Sequence, residues 1–201
     1  MTLNTLSRGN ADMCSWDGLT EQQIEAIQKA RKRVIESIGK NMDLYGVSLT
    51  TGHLYGMMFF QDKPMTLDEM GQEMGMSKTS MSMGVRTLLD LKLVNKVWGK
   101  GSRKDLYEAE TDWYQTFTDY FSIKWRKSIE MNLQAMRKSV AELEALSSQY
   151  PDNPTLVSII QKDVAKLKES IRYFMWLERF IDVLESGEIF RLVPKEEHAL
   201  Q

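Results

Sequence analysis

The chain has 201 residues, a net charge of −2 and an isoelectric point near 5.8, so it has room for one large domain or two small ones and its overall charge gives no sign of nucleic-acid binding. No apolar run reaches the roughly 18 residues needed to span a membrane. A lone cysteine, Cys14, excludes an internal disulfide and fits a reducing cytoplasm.

Residues 1–18 are polar and aperiodic, which predicts a flexible extension without the long apolar run of a signal peptide. Thr20-Glu21-Gln22-Gln23 is a capping-box start. The helix it opens carries Ile24, Ile27, Val34, Ile35, Ile38 and Met42 as an amphipathic stripe and ends near Tyr45-Gly46. A shorter helix is expected from Thr51 to Phe60, broken by Gln61-Asp62-Lys63-Pro64.

The next segment carries the most information. Thr66 with Glu69 forms a second capping box, Gly75 ends the helix it opens, and Ser77 is a good N-cap for another. On that second helix Met81, Gly84, Val85, Leu88 and Leu91 share one side. Thr79, Met83, Arg86 and Asp90 take the other, with Ser82 at its edge. One face can pack while the other meets a partner. Leu93 to Trp98, a Gly99-Lys100-Gly101-Ser102 turn, and Arg103 to Ala109 read as a hairpin. Helix, turn, helix and basic hairpin is the order of a winged helix-turn-helix. From Met76 to Lys104 the local charge is +6, while the rest of the chain sums to −8. Attraction to phosphate needs such local charge rather than a basic total.

After Thr111 the pattern changes to long helices. Trp113 to Leu146 fits one helix, with Ile129, Leu133, Met136, Val140 and Leu143 spaced four, three, four, three. Tyr150-Pro151-Asp152-Asn153-Pro154 breaks it. Val157, Ile160, Val164, Leu167, Ile171, Phe174 and Ile181 then hold a heptad seam, interrupted at Glu178. The expected fold is mainly α with a small β-hairpin wing: a winged helix-turn-helix plus a long α-helical dimerisation hairpin. Its expected parts are an extension over 1–18, a DNA-binding domain with its N-terminal helix over 19–110, and a helical dimerisation region over 111–201. A helical hairpin alone leaves an apolar face, which a second copy would cover; the alternative is packing of both seams against the first helix.

In this reading the helix that starts at Ser77 enters the major groove. Ser77 and the nearby amides suit a phosphate, and Lys78, Thr79, Ser82 and Arg86 face bases or backbone. Arg86 best fits guanine, because its fork donates two hydrogen bonds. Lys100 and Arg103 at the wing tip, with Lys104 beside them, would reach the flanking groove or backbone. A homodimer would read a two-fold symmetric operator in double-stranded DNA.

Enzyme readings find little support. The two histidines, His53 and His198, have no metal-site spacing, so no metal or cofactor is expected. Gly71 to Thr79 only superficially suggests a phosphate-binding loop, since Met76-Ser77 separates Gly75 from Lys78. No Gly-x-Ser-x-Gly elbow occurs. Fourteen methionines lie mostly at core-like positions, where Met is a flexible filler. Two rivals stay open: a dimeric protein-interaction scaffold, and a constitutive repressor with no small-molecule ligand.

Several strings now point to a family. Met42-Asp43-Leu44-Tyr45-Gly46-Val47, Gly52-His53-Leu54-Tyr55-Gly56, Pro64 to Met70, Gly75-Met76-Ser77-Lys78, Ser80-Met81-Ser82 and Val97 to Lys104 resemble the GbsR branch of the MarR superfamily of transcriptional regulators, over about residues 20–185. The resemblance implies a dimeric repressor of osmoprotectant uptake or synthesis, responsive to choline, with an effector pocket between its DNA-binding and dimerisation parts. Choline is a quaternary ammonium that cannot donate a hydrogen bond, and aromatic faces are the usual way to hold one. Aromatic residues at Tyr45, Tyr55, Trp113 and Phe117 are the first candidates for its walls. The alternative is that such a stripe, Phe117, Phe121 and Trp125 included, is ordinary core.

Overall fold

The structure, a computed structural model, describes residues 16–99 and 104–196. The chain divides into two compact units at Thr116/Phe117.

In the first unit, α1 (Glu21–Leu44) starts at the expected capping box: Thr20 Oγ1 accepts from the Gln23 amide, and the Gln23 side chain accepts from the Thr20 amide at 2.8 Å. Its inner face holds Ile35, Ile38 and Met42. Val34 is instead 41% exposed. Neighbouring helix positions lie about 100° apart, so Val34 and Ile35 cannot both face the core. Ile35 takes the place, lying against Gly56.

Helix α2 (Leu49–Phe59) begins two residues earlier than the sequence pattern suggests, because Ser48 caps it by accepting from the Thr51 amide at 3.2 Å. α1 and α2 cross closely at Gly39 and Gly52, where an added side chain would have no room. Leu54 and Tyr55, each 1% exposed, form the centre of this unit with Val47, Met70, Met81, Val85, Leu88 and Val94.

Helix α3 (Leu67–Met74) has the predicted Thr66/Glu69 box and ends at Gly75, whose φ of 63° is the left-handed cap that glycine adopts without strain. Helix α4 (Lys78–Asp90) follows the Ser77 cap. Lys92 turns the chain at φ 56° into β1 (Val94–Val97), which pairs antiparallel with β2 (Leu106–Ala109), Val94 opposite Ala109 and Val97 opposite Leu106. Both strands are shorter than expected, and Trp98 is 96% exposed. A contact not foreseen from the sequence fastens the hairpin. Met65 bridges Tyr107 through two backbone hydrogen bonds of 2.8 and 2.9 Å, tying the approach to α3 onto β2.

Helix α5 (Trp113–Gln149) is the single long helix expected, and the unit division falls within it. Asn153 caps α6 (Pro154–Glu185), with Pro154 at the first helical position, where its missing N–H costs nothing. A short α7 (Ile189–Leu192) closes the second unit and was not foreseen. The core of this unit joins Ile129 and Leu133 of α5 to Leu177, Ile181 and Leu184 of α6, with Phe121, Ile171, Phe174 and Ile189 packed on it. Arg126 ties the two helices together by pairing with Asp182 and, at 2.7 Å, with Glu185. These carboxylates raise the guanidinium's already high pKa further.

Candidate nucleic-acid interface

Helix α4 presents the two faces its sequence implies. Met81, Gly84, Val85 and Leu88 are buried, as is Leu91 at the cap. Thr79, Ser82, Met83, Arg86 and Asp90 are exposed. Burying each large apolar side chain contributes about 1.5–3 kcal/mol, so the inner face anchors the helix and leaves the outer one for a partner. Gly84 brings α4 close to α2: a Cβ there would lie 2.9 Å from Leu54 Cδ2.

The Ser77 hydroxyl accepts from the Ser80 amide at 3.2 Å. This fixes the first turn of α4, whose Lys78 and Thr79 are exposed. An open groove of about 290 Å³ runs between the start of α2 and the outer side of α4, lined by Ser48, Thr50, Ser80, Met83 and Thr87 among others. Its hydroxyls come from segments more than 25 positions apart, so no local pattern announces it.

The basic residues are not all uncommitted. Lys78 Nζ lies 2.9 Å from Asp68 Oδ1, and Lys104 Nζ lies 3.0 Å from Asp68 Oδ2. Both lysines hold the Asp68 carboxyl below the usual carboxylate range, Lys78 most strongly. On the hairpin Lys96 pairs with Asp105 at 2.8 Å, which raises the lysine's pKa. Among the described residues no ion pair engages Arg86, which stands exposed two turns into α4. The structure thus brings Lys78 and Lys104 together and sets Ser77, Thr79, Ser82 and Arg86 along one helix. Lys100 and Arg103 lie outside the described residues. Asp68 is the participant that the sequence reading missed.

The aromatic candidates have different surroundings. Tyr55 is 1% exposed, and its hydroxyl donates to the Glu110 carbonyl at 2.8 Å. Burial raises its pKa. Its ring meets Trp113 edge-on at 6.2 Å, and Phe59 lies 5.3 Å from the same indole. Trp113 is half-exposed, so one side of the indole packs while part of it remains open. Tyr45 is the C-cap of α1 and also half-exposed. Phe117, in the second unit, packs on Phe121 with ring centres 4.6 Å apart.

A family model described as the C-terminal helical hairpin of GbsR family transcriptional regulators matches residues 113–191. The chain is 39% identical over 172 residues to the HTH-type transcriptional repressor OpcR of Bacillus subtilis (strain 168), covering 86% of this chain and 93% of OpcR. It is 38% identical over 174 residues to the HTH-type transcriptional repressor GbsR of the same organism, covering 87% of this chain and 96% of GbsR. The chain belongs to the GbsR family of transcriptional regulators. Both relatives are named as HTH-type transcriptional repressors. A solved structure described as a transcriptional regulator shares the fold with a TM-score of 0.51 at 15% identity, covering 79% of this chain and 98% of that one. For this GbsR-family chain, α3 and α4 are the two helices of the helix-turn-helix and β1–β2 is its wing. No helix among the described residues is long and apolar enough to cross a membrane.

Proposed function

We propose that the protein is a homodimeric repressor that binds double-stranded DNA through α4 and the wing and is released or retained by a small quaternary ammonium effector. The observation that carries the DNA reading is the exposed outer face of α4, set on a buried apolar anchor and flanked by Lys78 and Lys104. Ser77, Lys78, Thr79, Ser82 and Arg86 would meet bases or backbone along the major groove, and Lys100, Arg103 and Lys104 the flanking groove or backbone. The regulated genes, on the resemblance to the GbsR branch, serve choline or glycine-betaine uptake or synthesis.

Dimerisation draws support from α6. Tyr173, Trp176 and Phe180 form a stacked aromatic row with ring centres 6.2 and 6.0 Å apart, and each is 41–52% exposed. A contiguous apolar row of this kind on one helix is a surface that a second copy could cover. The assignment of residues 19–110 to DNA and 111–201 to dimerisation follows the same division of labour. For the effector, Tyr45, Tyr55, Trp113 and Phe117 are the residues to test. Trp113 carries most of the weight, because Tyr55 is already committed to the core.

Duplex binding by the purified chain, followed by fluorescence anisotropy across a salt series, tests the DNA reading. Affinity should fall linearly on a log–log plot with a slope of about −0.9 per phosphate engaged. Salt-independent binding, or none, would leave the protein-interaction reading in its place. A tryptophan-fluorescence titration with choline, against ammonium at matched ionic strength, tests the effector. A saturable change with choline alone is expected, and a flat response would favour a repressor without that ligand.

A further inference from the structure

One carboxylate in the DNA-binding unit has two lysines converging on it. Asp68 sits in the first turn of α3, where the helix N-terminus already favours an anion. Lys78 reaches it from the first residue of α4, at 2.9 Å to Oδ1 and 3.1 Å to Oδ2. Lys104 reaches it from the segment leading into β2, at 3.0 Å. The two ammonium groups thus meet at a point the size of one anionic group, on the side of α4 where its N-terminus begins. All three side chains are between 43% and 65% exposed, so the pairs are open to solvent and exchange readily.

We propose that Lys78 and Lys104 form a binding site for a single DNA phosphate, and that Asp68 fills it in the DNA-free protein as an internal competitor. The proposal rests on the DNA-binding reading above and deepens it. A phosphate oxygen and a carboxylate oxygen make the same demand on a lysine: a charge-assisted hydrogen bond of about 2.7–2.9 Å. When the backbone of a duplex approaches, the lysines exchange one acceptor for the other. Asp68, left facing the phosphate, takes up a cation from solution, which cancels part of the gain from counterions that leave the DNA. The device lowers affinity for any duplex without touching sequence choice, because the contact it governs is with the backbone. Arg86, outside this ion-pair group, keeps its fork available for bases.

The test uses the full chain and a mixed-sequence 30-base-pair duplex as probe. Asp68→Asn keeps the side-chain shape and removes the charge. It should bind the duplex on the order of three- to tenfold more tightly at low salt, with a salt slope steeper by up to about 0.9. The gain should vanish when Lys78→Gln and Lys104→Gln are present, so that the double variant binds alike with and without Asp68→Asn. Far-UV circular dichroism establishes that each variant is folded. An Asp68→Asn chain that binds no more tightly than wild type would overturn the proposal and make Asp68 a structural clamp. Tightening that persists without the two lysines would also overturn it, because it would then reflect only the removal of a negative charge. A wild-type chain that fails to bind duplex at low salt would instead sink the DNA-binding reading itself.

Discussion

The close crossing of α1 and α2 can be tested with two glycines that differ only in what surrounds them. Gly52 and Gly84 both lie inside helices, so replacing either by alanine gains about 1 kcal/mol of helix propensity. At Gly52 the new methyl would sit 2.7 Å from Gly39 Cα and 3.2 Å from Gly39 O, both backbone atoms of α1. Relief requires the two helices to separate, and overpacking of that kind costs about 1–3 kcal/mol. The upper part of that range applies here, since no side chain can rotate away. The net for Gly52→Ala is a loss of about 1–2 kcal/mol, or a thermal midpoint lower by about 5–15 °C for a unit of this size. At Gly84 the methyl meets the far end of Leu54, Cδ2 at 2.9 Å, and otherwise only Thr51 Oγ1 at 3.9 Å. Leu54 is itself 1% exposed, so the shift of its terminal methyl has a cost at the lower end of the overpacking range, about 1–2 kcal/mol, which the propensity gain largely offsets; Gly84→Ala should fall within about 1 kcal/mol of wild type. Thermal unfolding of the two variants side by side, followed at 222 nm, measures the contrast. A Gly52→Ala midpoint equal to or above that of Gly84→Ala would refute the argument, because it would mean that α1 and α2 do not approach as closely as their glycines permit.

Three further outcomes are expected. Arg86→Ala should weaken binding to a selected operator by about 1–3 kcal/mol and relax preference at one base pair; equal weakening on all duplexes would make Arg86 a phosphate contact. Ile181→Ala removes a side chain that is 1% exposed in the α5–α6 core and should cost about 2–5 kcal/mol by urea unfolding, whereas a loss below about 1 kcal/mol would mean the seam is loosely packed. His53 titrates below its ordinary value of 6.5, chiefly because burial disfavours the cation, with Glu36 opposing and Lys40 reinforcing the shift. Folding therefore favours the neutral ring. Its contribution is present above the unfolded value near 6.5 and is lost as the pH falls through the lowered folded value. The thermal midpoint should drop on acidification more in wild type than in His53→Gln, and identical pH profiles would remove His53 from the account.

The elements set by local chemistry were legible in the chain itself. Capping at Thr20, Thr66 and Ser77 depends on side chains three residues from the amide or acceptor they meet, so the caps could be placed before any fold was known. The two faces of α4 follow from 3.6-residue periodicity, and Gly75 from the left-handed turn it makes. The seams of α5 and α6 were legible only in part: Ile129, Leu133 and Ile181 enter the shared core with Ile171 and Phe174 packed on it, whereas Leu177 and Leu184, outside the heptad spacing read from the sequence, complete it. Tertiary structure decided what depends on where separate segments come to rest. Tyr55 has the same side chain whether it lines a ligand site or a core, and its 1% exposure comes from neighbours supplied by other elements. Met65 pairs with Tyr107 across 42 positions of chain, a distance over which no periodicity operates. Asp68 meets Lys78 ten residues away and Lys104 thirty-six residues away only because α3, α4 and the hairpin return to one place. Side-chain type and spacing along one element specify that element, whereas the meeting of three elements at one carboxylate is fixed by how their buried faces pack.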